Sequence, residues 1–225
     1  MRPFIFGLFC LSLAVAQPPA PPTKPAAPPD RAAFQSAINE KDPAAKLASL
    51  EKFLADFPAS QMTSSARREI VSTALKQDPA QGVAKAAALT SSLSANAAAV
   101  INRFLATELL AQKKLLPEAG KAALAALQGF NFADFAAEAR KDGERYKQPA
   151  PADGLLKGRF EAQLAQYKET AGLVMIEQGK AAEGRAMLAG ALNSNPALTN
   201  TAAALAALAE KRSEEHTSEL QSRQS

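Results

Sequence analysis

The sequence predicts an all-α fold built from short antiparallel helical hairpins, on three observations. From Asp30 onward alanine, leucine and lysine dominate, β-branched residues are sparse, and strand-like alternation is absent. Proline, glycine and N-cap residues interrupt the chain at short intervals. Between the interruptions the apolar residues fall on single stripes at helical spacing, and such a stripe is stable only when another helix covers it.

The first sixteen residues have three parts: Arg2 as a positive start, an apolar run from Phe4 to Val15, and small residues in Ala14-Val15-Ala16 before a cut. That is the pattern of a secretory signal peptide, and the run is too short for the roughly 18 apolar residues of a membrane span. Cys10 follows Phe9 rather than the small side chain of a lipoprotein signal, so it reads as an apolar leader residue. Cleavage after Ala16 makes Gln17 the first mature residue, in the periplasm or outside a bacterial cell. Residues 17–30 form a Pro-rich linker, with Pro18, Pro19, Pro21, Pro22, Pro25, Pro28 and Pro29. Proline fixes φ and removes donors, so this segment is expected as an extended polyproline II spacer. Its P-x-x-P spacing suits an aromatic groove, but a spacer role is the simpler reading.

Ten helices are expected, over 31–41, 43–57, 61–77, 79–93, 95–115, 117–128, 131–146, 156–178, 181–193 and 198–211. Asp42-Pro43 and Asp78-Pro79 each put a side-chain acceptor at the N-cap and a proline at the first helical position, where its missing N–H is no loss. Pro117-Glu118 is expected to open a helix in the same way. Leu47, Leu50, Phe53, Leu54 and Phe57 make one stripe, and Val100, Ile101, Phe104, Leu105 and Leu109 another. Short helices separated by such breaks form hairpins. Gln148 to Gly154, with two prolines and a glycine, is the expected loop between two sub-arrays, 31–147 and 148–211.

At the far end Arg212 to Ser222 read RSEEHTSELQS. This run resembles the conceptual translation of a sequencing-library adapter, and an alanine-rich helix over 202–209 gives way to it abruptly. Residues 212–225, including His216, are therefore expected to be foreign to the fold. The natural chain is then expected to continue beyond Lys211, since 199–211 make only half of a further hairpin.

Between the two ends, Lys+Arg falls from 26 to 23 and Asp+Glu from 22 to 19, three residues lost from each, so the net charge stays at +4. No dense basic block with interleaved aromatics occurs, which argues against nucleic acid as a partner. Arg67-Arg68 and Lys113-Lys114 read as solvated helix faces. Residues 17–211 hold no Cys, His or Trp. A thiol nucleophile, a redox dithiol, a Ser–His pair and a Cys/His metal site are all excluded there. No catalytic residue, cofactor or metal is expected, and disulfides cannot help stability. About 195 residues suffice for a packed core.

Ala165 to Leu198 carry the clearest repeat pattern. Ala171-Gly172 allow close helix approach, Met175 follows, and Gly179 ends the helix as a residue able to adopt positive φ. Gly184, Leu188 and Ala191 alternate small and large, and Asn195-Pro196 close the unit. This resembles a tetratricopeptide repeat, a helical hairpin of about 34 residues that stacks into a solenoid. Lys168 stands where the family has tryptophan and Met175 where it has tyrosine, so the usual aromatic packing is not implied. Asp42 to Pro58 resembles the second half of another repeat, in the EKFLADFP style of bacterial envelope proteins. Lys114 to Leu127, with Ala119, Ala123 and Ala126, resembles a third.

The resemblance implies an exported, non-catalytic scaffold that binds a protein or peptide in a groove lined by the first helix of each hairpin. In the clear repeat Gln166, Glu169, Leu173, Ile176 and Glu177 would face that groove. Phe130, Phe132 and Phe135 read as core rather than as a peptide pocket. An alternative is that these helices precede a thioredoxin-like thiol–disulfide oxidoreductase domain beyond residue 211. A membrane-active role is disfavoured because Lys and Glu are spread over several helix faces.

Overall fold

The computed structural model describes residues 28–145, 147–199 and 201–210. The leader, all but the last residues of the linker, and the adapter-like end lie outside the described residues, with Cys10 and His216. Among the described residues every regular element is a helix: α1 (Pro29–Ile38), α2 (Pro43–Asp56), α3 (Thr63–Gln77), α4 (Pro79–Thr90), α5 (Ala95–Gln112), α6 (Leu116–Gly129), α7 (Phe132–Arg145), α8 (Asp153–Glu177) and α9 (Ala181–Ser194). A further helical stretch covers 201–210.

Helix starts follow the cap chemistry. The Asp42 carboxylate accepts the Ala45 N–H at 2.7 Å and the Asp78 carboxylate accepts the Ala80 N–H at 3.0 Å, each followed by proline in the first turn. Ser94 caps α5 in the same manner, accepting from the Ala97 N–H. Helix α6 corrects the expectation for Pro117-Glu118, because no side chain caps it. The chain instead reverses through Lys113 and Leu115, both in the left-handed region at φ 51° and 46°. The Lys114 N–H closes on the Leu109 carbonyl at 3.1 Å, which is how a helix end with a left-handed residue satisfies its last carbonyls. The 148–154 loop is also shorter than expected, since α8 begins at Asp153 and contains Gly154.

The packing is a file of paired helices. α1 pairs with α2, α3 with α4, α5 with α6, and α8 with α9; α2, α4 and α6 then rest on α3, α5 and α8. The first helices also meet, α3 on α5 and α5 on α8. Leu50, Phe53, Ala37, Ala66 and Ile70 form one buried cluster at the start of the file, with Phe34 and Phe57 against it. A second cluster runs from Val71 and Leu75 through Ile101, Leu105 and Leu109 to Ala119, Ala123, Ala171 and Val174. It crosses from α3 to α8, so apolar packing is continuous past the 148–152 loop.

The α8–α9 hairpin is closed by glycine. A methyl group on Gly184 would lie 2.7 Å from the Gly172 carbonyl oxygen, and one on Gly172 would lie 2.8 Å from the Leu188 side chain. Only residues without Cβ permit that backbone approach. Gly179 ends α8 at φ 81°, as its position requires.

Helix α7 departs from the pairing. It leaves the end of α6, packs on α8 and lightly on α5, and lets α6 rest directly on α8.

Candidate functional site

The first helices of the pairs present one face in common. Where α3, α5 and α8 meet, a cleft of about 410 Å³ is lined by Arg68, Arg103, Phe104, Thr107, Gln163 and Tyr167, among others. A second, of about 560 Å³, continues over α1 with Phe34, Ile38, Glu69 and Ser72. Arg68, Phe104 and Glu108 line both, so the two form one groove. Each volume falls within the roughly 300–1,000 Å³ of ligand clefts.

The floor is apolar and the rim is charged. Phe104 and Val100 come from the stripe on α5 whose other residues, Ile101, Leu105 and Leu109, are buried. The Arg103 guanidinium lies 5.3 Å from the centroid of the Tyr167 ring, a cation–π contact that leaves its N–H groups free for an acceptor. Burial pushes the Tyr167 hydroxyl above its ordinary pKa, against the smaller opposing pull of Arg103. Glu69 is paired with Lys46 at 2.7 Å. Among the described residues, no carboxylate lies within 4 Å of Arg67, Arg68 or Arg103. With Glu108 as the remaining unpaired carboxylate of the lining, the groove is net positive.

Of the residues expected to face the groove, the structure brings only Gln166 to it. Glu169 accepts the Thr201 hydroxyl at 2.6 Å and ties α8 to the stretch over 201–210. Ile176 packs against Gly184 inside the α8–α9 hairpin. Glu177 is exposed and pairs loosely with Lys113 at 3.5 Å. Leu173 is half-buried and lines neither cleft. The reason is a rotation of one face. The repeat pattern marks the side of α8 that meets its hairpin partner and the next helix, whereas Gln163, Gln166 and Tyr167 lie toward α5.

Arg67 corrects the reading of Arg67-Arg68 as a solvated face, while Arg68 is exposed as that reading has it. Arg68 lines the groove, and Arg67 is half-buried beneath α7, where loss of water holds its guanidinium below the ordinary pKa. The interleaving of Arg103 and Thr107 with Phe104 was the available sequence cue, since a purely buried face would not carry them.

The aromatic cluster divides as well. Phe130 is buried and stacks on Tyr167 (4.5 Å between centroids) and Phe160 (4.8 Å), as core. Phe132 is 37% exposed and meets Phe160 edge-on at 5.5 Å. Among the described residues no group of His, Cys, Asp or Glu gathers to hold a metal ion, and no helix is long and apolar enough to cross a membrane.

The chain matches no protein-family model, no curated protein and no solved structure.

Proposed function

We propose that this chain is a tetratricopeptide-like scaffold that docks a segment of another protein in the groove lined by α1, α3, α5 and α8. The observation that carries this reading is the groove itself: an apolar floor of Phe104 and Val100 beneath two arginines without carboxylate partners. Apolar anchors give affinity, and desolvated charges select the partner. Spacing supports the family resemblance. α3 begins 34 residues after α1 (29 to 63) and α5 32 after α3 (63 to 95), close to the period of about 34. The small-to-small contact of Gly172 with Gly184 agrees with it.

The test is selection of peptides from a random library on the chain, followed by affinity measurement on variants. Arg103→Glu and Phe104→Ala are expected to weaken the selected peptides by about tenfold or more. Peptides indifferent to both changes would place docking elsewhere and overturn the proposal. Export rests on residues 1–16 and is tested separately: mature protein recovered outside the cytoplasm should begin at Gln17.

A further inference from the structure

Helix α7 covers part of the same surface that the groove leaves open. Beneath it lies a space of about 250 Å³, lined from the stack by Ser64, Arg67, Asn96, Val100 and Gln163 and from above by Phe135 and Glu138. Val100 and Gln163 also line the open cleft. On α5 the lining steps from Asn96 to Val100, Arg103 and Thr107, increments of three or four that stay on one helix face. The covered space and the open groove are therefore two lengths of one surface.

The attachment of α7 is light. Phe135 meets Phe130 edge-on at 5.8 Å and Phe160 at 5.8 Å, and Phe132 meets Phe160 at 5.5 Å. Just before the helix the Asn131 N–H donates to the Asn96 side chain at 3.0 Å. Along the helix Glu138 accepts the Ser94 hydroxyl at 2.7 Å and Arg140 pairs with Asp153 at 2.6 Å. Arg145 reaches the Ala59 carbonyl at 3.5 Å. The contacts of Glu138, Arg140 and Arg145 are solvent-exposed, where each is worth little. Only Ala136 and Gly143 of the fourteen residues are fully buried.

We propose that α7 is the resident occupant of one end of the groove, and that an acidic amphipathic helix of a partner protein takes its place. This inference rests on the reading of that face as a docking surface. Its recognition pattern is written in α7: aromatic side chains three residues apart (Phe132 and Phe135) and a carboxylate three further on (Glu138). Arg67 supplies the preference for a competitor. It is a half-buried cation without a carboxylate within 4 Å among the described residues, and Glu138 spends its charge on Ser94 instead. A partner placing a carboxylate on Arg67 gains what α7 does not, and only such a difference in affinity shifts an occupied site. The covalent link gives α7 a high effective concentration, which keeps weak competitors out.

The experiment uses a labelled synthetic peptide covering residues 131–145 and measures its binding to the whole chain by fluorescence anisotropy. Phe135→Ser in the chain loosens the resident helix and is expected to tighten peptide binding by about tenfold or more over the unchanged chain. Adding Arg67→Glu to the loosened chain is expected to remove that gain, because it sets a second carboxylate in the space that the peptide's Glu138 lines. Equal affinity of the loosened and unchanged chains, or indifference to Arg67→Glu, would overturn the proposal. Glu138→Lys, an exposed change that sets like charge beside Arg67, gives the same readout if Phe135→Ser does not fold. The two proposals separate cleanly. If library peptides bind through Arg103 and Phe104 while the α7 peptide never binds the loosened chain, only the resident-helix inference falls. If neither binds, the docking reading falls with it.

Discussion

The α8–α9 hairpin and helix α7 adjoin each other and are held by opposite means. In the hairpin two backbones meet through Gly172 and Gly184, and Leu188 fills the space beside them at 0% exposure. In α7 the rings of Phe132 and Phe135 against Phe130 and Phe160, with a few exposed polar contacts, do the holding. The hairpin's closest contacts at Gly172 and Gly184 include each other's backbone carbonyl oxygens, which no side chain of another molecule can replace. The attachment of α7 consists of side-chain ends that can be exchanged for equivalent ends from another molecule. Stability that resides in backbone approach is local and rigid, whereas stability that resides in rim contacts is replaceable.

The strongest way to break this contrast is to put a methyl group into the hairpin. Gly184→Ala would set a Cβ 2.7 Å from the Gly172 carbonyl oxygen and equally close to Ile176. Backbone yields poorly, so a loss of about 1–3 kcal/mol is expected despite the better helix propensity of alanine. Gly190→Ala in the same helix meets nothing within 4 Å and is expected to gain up to about 1 kcal/mol. Denaturant melts of both variants check the pair, and a common sign would refute the close approach. By comparison, Phe135→Ala in α7 is expected to reduce global stability by less, about 1 kcal/mol, since the ring is only half-buried. Hydrogen exchange should show amides of α7 losing protection while those of α8 and α9 keep theirs.

The two regions also differed in how legible they were. Gly172, Gly184, Leu188 and Gly179 could be placed from the sequence because backbone approach and positive φ admit very few residue types. The helix starts at Asp42-Pro43 and Asp78-Pro79 were legible for the same reason. Helix α7 was visible as a helix, but its place across the groove was not, because amphipathic periodicity says that a face is covered without saying by what. The groove residues suffered similarly. Val100 and Phe104 share a stripe with Ile101 and Leu105, and only packing decides which half of a wide stripe is buried. Of the cleft's lining, Gln166 was among the residues expected on a groove face, while Arg68 and Arg103 were hidden among ordinary surface charges.

The turn between α5 and α6 offers a smaller and opposite effect. Lys113 holds φ 51° without being glycine or asparagine, a conformation that costs an L-residue roughly 1–2 kcal/mol. Its ammonium pairs with Glu177 only at 3.5 Å and is exposed, so little is lost with the side chain. Lys113→Gly is therefore expected to stabilise by about 0.5–1 kcal/mol, the strain relieved less the greater entropy of an unfolded glycine. A lower denaturation midpoint for this variant would show that Lys113 does not hold a left-handed conformation.

Tyr167 lies where stack, α7 cluster and groove meet, and its titration reads all three. Its ring stacks on Phe130 and carries Arg103 on the groove side. Burial raises its folded-state pKa above that of the unfolded chain, and Arg103 partly opposes the shift. A raised pKa means the folded state keeps its proton longer. The associated stability is thus complete below about pH 10 and is lost as pH climbs through the folded-state value. With Tyr146→Phe removing the other tyrosine, phenolate absorbance should rise later in the native chain than in denaturant. Arg103→Ala should delay it further, because the one nearby cation that favours the phenolate is gone. If Tyr167 in the native chain titrates together with the denatured control, the ring is open to water. The stacked junction that joins the groove to α7 would then not exist.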